Sequence, residues 1–104
     1  MTYQEFKDWL EKNARGYELF YNKALELQYA RNKKRTGKTK KWTNLKMERA
    51  AESMWNDVAK NAYEKIKAEK SVPKYNGYQI WLDFLNEIQF LENFDDSMGE
   101  LEFE

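Results

Sequence analysis

The sequence predicts an all-α protein, a compact bundle of about four helices with the third helix longest. Only four Gly and one Pro occur among the 104 residues, so few positions favour turns. Apolar side chains recur every three or four residues through most of the chain, which is the period of a helix with one buried face. Four Trp, seven Tyr and six Phe supply bulky side chains for a small core. We expect one helical domain over residues 1–94, followed by a mobile acidic tail over residues 95–104.

Two helices are predicted in the first third of the chain. The first begins at Thr2, which forms the capping-box pattern with Glu5. Gly16 is expected to break or kink it. A second helix is predicted from about Tyr17 to Arg31, because aromatic and aliphatic residues fall there at helical spacing. Residues 32–41 are expected to form an exposed connection.

The third predicted helix has the clearest boundaries. Thr43 is a favourable N-cap, and an apolar face continues over residues 47–66. The helix is expected to reach about Lys70, since Pro73 cannot continue the backbone hydrogen bonding. A fourth helix is predicted over residues 77–93, with more apolar surface than a surface helix needs.

Charge is segregated along the chain, although 18 basic and 18 acidic residues give a net charge of zero. Residues 31–46 contain eight cations and no acid. Beyond Lys74 there is no basic residue, and eight acids follow: Asp83, Glu87, Glu92, Asp95, Asp96, Glu100, Glu102 and Glu104. A neutral total gives no global attraction to nucleic acid or membrane, so any electrostatic recognition must be local.

Catalysis is disfavoured by the residue types that are missing. The chain has no His and no Cys, which removes the commonest general base, the thiol nucleophile and thiolate metal sites. Glu48 with Glu52, or Asp83 with Glu87, is spaced to share a helix face and hold Mg²⁺. Such pairs are more often part of a solvated polar face. We therefore expect no enzymatic activity, no metal and no cofactor.

The basic segment is one candidate binding site. Its cations are suited to a phosphate backbone, while an adjacent aromatic ring stacks on a base. Two other interpretations stay open, a solvated loop and an internal counter-ion for the acidic end. The candidate residues for a nucleic acid or an acidic partner are Arg31, Lys33, Lys34, Arg35, Lys38, Lys40, Lys41, Trp42 and Lys46.

The acidic end is the other candidate site. A row of carboxylates can imitate a nucleic-acid backbone and occupy a basic groove of a protein partner, with aromatic residues as apolar anchors. A solubilising tail is the alternative. If Leu82 and the two nearby phenylalanines stay exposed, a homodimer through the fourth helix is also expected. The candidate protein-binding residues are Asp83, Glu87, Phe90, Glu92, Phe94, Asp95, Asp96, Glu100, Glu102 and Phe103.

These patterns favour a small protein–protein binder over an enzyme. Its size and composition are typical of regulators or inhibitors carried by phages and mobile elements, which is an association and not a derivation. The leading hypothesis is an anti-defence protein that modulates a nucleic-acid-handling host machine, for example a defence nuclease. The alternative is a nucleic-acid-binding protein that uses residues 31–46. Because no apolar stretch approaches the roughly 20 residues of a membrane span, and the N-terminus lacks a signal-peptide pattern, we expect a cytoplasmic protein without a membrane partner.

Overall fold

Five helices follow one another in the computed structural model, which describes residues 1–37 and 41–103. They are α1 (Tyr3–Asn13), α2 (Gly16–Lys34), α3 (Asn44–Lys70), α4 (Gly77–Glu87) and α5 (Phe90–Glu100). Helix α2 packs against α3 and α5, α1 packs against α3, and α4 contacts α5. The all-α prediction is confirmed, whereas the prediction of four helices is wrong because the fourth is divided into two. At the usual rise, the 27 residues of α3 span about 40 Å, and the molecule measures 55 × 26 × 21 Å.

The predicted caps of the first and third helices are present. The Thr2 hydroxyl accepts a hydrogen bond from the Glu5 backbone at 3.2 Å, and the Glu5 carboxylate accepts one from the Thr2 backbone at 2.8 Å. The Thr43 hydroxyl accepts from the Lys46 backbone at 3.2 Å. Asn76 precedes α4, but its side chain makes no capping hydrogen bond since its backbone is left-handed, with φ of 53°.

Helix α3 provides the centre of the core. Its fully buried Trp55 contacts Tyr17 and Phe20 of α2 and Phe94 of α5, with ring centroids 4.8, 5.9 and 5.9 Å away. One side of α3 is buried almost every fourth residue, as a helix that crosses the whole core requires. The buried residues of α3 are Met47, Ala51, Trp55, Ala59, Tyr63 and Ile66.

The division between α4 and α5 lies at Gln89, whose backbone is left-handed with φ of 54°. This conformation costs a non-glycine residue about 1–2 kcal/mol. The change of direction lets Phe90 pack against Phe6 and lets Phe94 pack against Trp55. Burying a single Phe side chain contributes about 1.5–3 kcal/mol, so packing outweighs the local cost.

The segment predicted to be a mobile tail is helical over most of its length. Residues 95–100 form the second half of α5. Leu101 and Phe103 follow the helix and pack against the core, with the Phe103 ring 5.7 Å from that of Phe20. A mobile tail is therefore not confirmed for residues 95–103, because the apolar side chains at their end pack against the core. Glu104 lies outside the described residues.

In the described parts of the chain, no helix has both the length and the apolar character needed to cross a bilayer.

Candidate binding surfaces

The predicted basic residues come together where α2 ends and α3 begins. We call residues 31–37 and 41–46 the basic tip. Arg35 and Trp42 are half-buried in it, and Lys38 and Lys40 lie outside the described residues. The exposed cations of the basic tip are Arg31, Lys33, Lys34, Lys41 and Lys46.

Side-chain hydrogen bonds close the connection between α2 and α3. The Asn32 carboxamide accepts from the Trp42 backbone N–H at 2.7 Å and donates to the Trp42 carbonyl at 3.3 Å. The Lys41 ammonium donates to the Asn32 and Lys33 carbonyls at 2.8 and 3.2 Å. These carbonyls belong to the last turn of α2, where a positive charge is favourable. Hydrogen bonds from Asn32 and from Lys41 therefore join the end of α2 to the residues just before α3.

Two of the protein's own cationic side chains lie over the indole ring of Trp42. The Arg35 guanidinium carbon lies 3.9 Å from the ring centroid, and the Lys46 ammonium lies 4.6 Å from it. Cation–π attraction of this kind is worth about 0.5–1 kcal/mol at an exposed site. Trp42 was predicted to stack on a nucleic-acid base. In this structure the ring instead positions charged side chains.

Within residues 1–37 and 41–103, no ion pair joins the acidic end to the basic tip. The ion pairs found among residues 1–37 and 41–103 join Lys7 to Glu11 and to Glu52, at 3.2 and 3.6 Å. Both pairs link α1 with itself or with α3, away from the two charged regions. The counter-ion interpretation of the basic segment thus has no ion pair to support it in the described chain.

The exposed carboxylates of the C-terminal region form what we call the acidic face. Three of them, Glu92, Asp96 and Glu100, are four residues apart and so lie along one side of α5 over about 12 Å. Asp83 accepts a hydrogen bond from Gln79 at 2.8 Å within α4. The residues of the acidic face are Asp83, Glu87, Glu92, Asp96, Glu100 and Glu102, all exposed.

Two polar contacts fix α5 to α2. The Asp95 carboxylate accepts a hydrogen bond at 2.7 Å from the backbone N–H of Gly16, the first residue of α2. A carboxylate is favourable there because the first N–H groups of a helix lack internal partners. The Lys23 ammonium donates to the carbonyls of Met98, Gly99 and Leu101 at 2.9, 2.9 and 2.7 Å. Asp95, predicted to bind a partner, therefore has a structural role.

The aromatic residues predicted as partner anchors belong to the core. Phe94 is only 8% exposed, and a Cβ added to Gly16 would lie 2.7 Å from its ring. Phe90 packs against Trp9 and Phe6, and Phe103 packs against Phe20, so both are half-buried. Because α5 turns this face inward, Phe94 has too little exposed surface to support its predicted contact with a partner.

A homodimer through α4 was expected only if Leu82, Phe90 and Phe94 stayed exposed. Leu82 packs against the core and is half-buried. Phe90 is also half-buried, and Phe94 is buried. The large apolar residues that α4 leaves exposed, together with its C-cap residue, are Tyr78, Ile80 and Ile88, at 44%, 38% and 37%. The condition for that homodimer is therefore not met, and dimerisation stays a prediction that the molar mass from light scattering tests.

The groups with shifted pKa values lie outside both charged surfaces. Burial raises the pKa of Tyr17, Tyr21 and Tyr63, so these phenols stay neutral at neutral pH. Burial lowers the pKa of Lys7, but hydrogen bonding and attraction to Glu11, with further attraction to Glu52, outweigh it and leave the pKa raised. Within residues 1–37 and 41–103, no three acidic side chains form a group that could hold a metal ion.

No family model, curated protein or solved structure matches this chain in sequence or in fold. Interpretation of its surfaces therefore depends on their geometry and charge.

Proposed function

We propose that this protein is a non-enzymatic protein binder whose acidic face binds a basic surface of a larger, nucleic-acid-handling protein. The observation that carries the proposal is the row of exposed carboxylates on α5, in a stretch of chain that has no basic residue after Lys74. A row of negative charges on a rigid helix is complementary to a groove that normally accepts a phosphate backbone.

The acidic side chains of α5 lower the stability of this helix. Like charges four residues apart destabilise a helix by about 0.2–0.5 kcal/mol per pair, and Glu92, Asp96 and Glu100 make two such pairs. The C-terminal end of α5 favours a cation, and the Lys23 ammonium already supplies one by donating to the Met98, Gly99 and Leu101 carbonyls. Residues that break local stability rules are expected at functional sites. A cationic partner relieves the repulsion between these carboxylates.

The anchoring of α5 supports direct recognition. Asp95 and Lys23 hold the helix on α2, while Phe94 is buried beneath it. Binding to an already ordered surface avoids the loss of conformational entropy that a disordered acidic segment incurs. The acidic face thus combines high local charge with low ordering cost.

The biological setting we propose is competition with nucleic acid for the partner's groove, in the cytoplasm. An inhibitor of a host defence nuclease, carried by a phage or mobile element, fits this mode of action. Small size and the absence of His and Cys support this setting only by association.

A neutralised acidic face tests the proposal. The variant is E92Q/D96N/E100Q, and the matched control is E18Q/E64Q/E69Q, which removes three exposed carboxylates from α2 and α3. A partner captured on the immobilised wild-type protein is identified by mass, purified, and titrated with each variant at two salt concentrations. Exposed charge pairs contribute about 0.2–1 kcal/mol each, so the first variant should weaken binding roughly tenfold.

Three results together are expected: weaker binding by the acidic-face variant, a control within about twofold of wild type, and displacement of the protein by duplex DNA. Circular dichroism should show unchanged helix content in both variants. Unchanged affinity of the acidic-face variant would remove the acidic face from the mechanism.

A further inference from the structure

The basic tip contains more exposed positive charge than its surroundings balance. Its cations Arg31, Lys33 and Lys34 lie in the last turn of α2, and none of them is within ion-pair distance of a described carboxylate. The first turn of α3, which follows, contains no acid. The positive end of α3 meets the negative end of α2 here, so the two helix dipoles offset each other and the field comes from the side chains. The result is a strongly cationic region on a protein of zero net charge.

We infer that the basic tip is a second binding site, separate from the acidic face, and that its ligand is the phosphate backbone of a nucleic acid. The site does not depend on the proposed protein partner, because α5 itself is held on α2 at Gly16 and Lys23, whereas the basic tip begins at Arg31. Phosphate oxygens would contact the exposed Arg and Lys side chains at the end of α2 together with Lys46 on α3. Such contacts carry no sequence information, so the binding should be non-specific.

The internal contacts of the tip favour this ligand because they fix three of its cations, Arg35, Lys41 and Lys46, in advance. Asn32 and Lys41 join the end of α2 to the start of α3. The guanidinium of Arg35 and the ammonium of Lys46 both lie over the Trp42 ring. Ordered cations bind a regularly charged polymer with less loss of side-chain entropy than free ones.

An acidic protein is a less suitable ligand for the same surface. Protein interfaces concentrate their energy in a desolvated apolar or aromatic centre. Trp42 is half-buried beneath its own cations. In the described part of the tip, Leu45 is the only exposed large apolar side chain, at 55%. The tip therefore offers charge with little apolar area, which is typical of phosphate-backbone binding.

Salt dependence of nucleic-acid binding tests the inference. Fluorescence anisotropy of labelled mixed-sequence DNA of about 20 nucleotides, single-stranded and duplex, is followed between about 25 and 200 mM KCl. The test variant is R31Q/K33Q/K34Q. The control K60Q/K65Q/K67Q removes the same number of exposed cations from the distant half of α3. A third variant, E92Q/D96N/E100Q, separates this site from the acidic face.

The expected result is binding of both DNAs that weakens steeply with salt. Each phosphate contact contributes about −0.7 to −0.9 to the slope of log K against log salt, so the tip variant should lose about two units of slope and at least tenfold in affinity at low salt. The α3 control should stay within about twofold of wild type, and the acidic-face variant should bind as well or better.

Three results would overturn the inference. The first is no binding to either DNA at the lowest salt, and the second is equal weakening by the tip variant and the α3 control. The third is competition by polyglutamate as strong as by unlabelled DNA of equal charge, which would assign the tip to acidic proteins. A W42L variant keeps every charge and should weaken DNA binding severalfold, since Arg35 and Lys46 lose their common support. Wild-type affinity in W42L would contradict the role of Trp42.

Discussion

The contact between α5 and the start of α2 should not tolerate a side chain at Gly16. A Cβ added there would lie 2.7 Å from Phe94 Cε2 and 2.8 Å from Met98 Cγ, both well inside van der Waals contact. The Phe94 ring cannot simply retreat, because it stacks on Phe90 at 5.6 Å and meets Trp55 at 5.9 Å. Overpacking of this kind costs about 1–3 kcal/mol, and the better helix propensity of Ala returns a fraction of that. We expect G16A to lower the free energy of unfolding by about 1–2 kcal/mol.

Urea denaturation followed by circular dichroism measures this loss. For a domain near 100 residues, 1 kcal/mol corresponds to about 4–8 °C in Tm, so heating provides a second reading. The control is G99A in α5, where an added Cβ meets nothing within 4 Å and the variant should be as stable as wild type or slightly more stable. If G16A proved as stable as G99A, α5 could not lie against the start of α2 as described, and the ordered acidic face would lose its foundation.

Three further substitutions test local features of the fold. E11A removes the acceptor of the 2.8 Å hydrogen bond from the buried Trp55 indole N–H. It should lower the free energy of unfolding, measured by urea denaturation, by about 1–3 kcal/mol, whereas E11Q should lower it clearly less. Equal losses in the two variants would contradict the hydrogen bond. The pKa of Glu5 is lowered, mainly because its carboxylate accepts the Thr2 backbone N–H. The ionised Glu5 carboxylate therefore contributes fully to stability above its pKa in the unfolded chain, about 4.3, and this contribution is lost as the pH falls through its lower pKa in the folded protein. The stability difference between wild type and E5Q should shrink on acidification below about pH 4. A difference independent of pH would refute that assignment. Q89G should raise the free energy of unfolding by about 0.5–1 kcal/mol, and with it Tm, because glycine adopts the left-handed backbone of position 89 without strain. A lower Tm would show that the break between α4 and α5 does not lie at this residue.

Helix starts and buried faces were predictable from the sequence because they depend on neighbours within a few residues. The caps at Thr2 and Thr43 need only the next turn of chain. The apolar period of α3 is equally local, although it indicated Met54 and Val58 more strongly than the fully buried Ala59. Small residues in a close-packed core give a weak hydrophobic signal.

The break at Gln89 had no local signal. The break is formed by Ile88 and Gln89, and neither residue type favours a turn as Gly or Pro does. The left-handed turn exists because Phe90 and Phe94, which follow it, become partly or fully buried. A break that depends on tertiary packing cannot be recognised from one-dimensional periodicity. The same reason explains why residues 95–100 were predicted as a tail.

The candidate sites were predictable in part. Segregation of charge is visible in the order of residues, but the use of each charge is not. Asp95 bonds to Gly16, 79 positions away, and Lys23 reaches Met98 across 75. The Gln79–Asp83 hydrogen bond, four residues apart within α4, had a spacing that could have been recognised.

Site-specific photo-crosslinking from the acidic face tests the proposed function most directly. A photoreactive amino acid replaces Asp96 at the centre of the row on α5 or, in the control, Lys60 on α3, and both side chains are exposed. Irradiation in the cell that makes the protein should join position 96 to a Lys- and Arg-rich peptide of a nucleic-acid-handling protein, while position 60 should give no such product. Products from position 60 alone, or an acidic or apolar peptide joined at position 96, would contradict recognition by the acidic face.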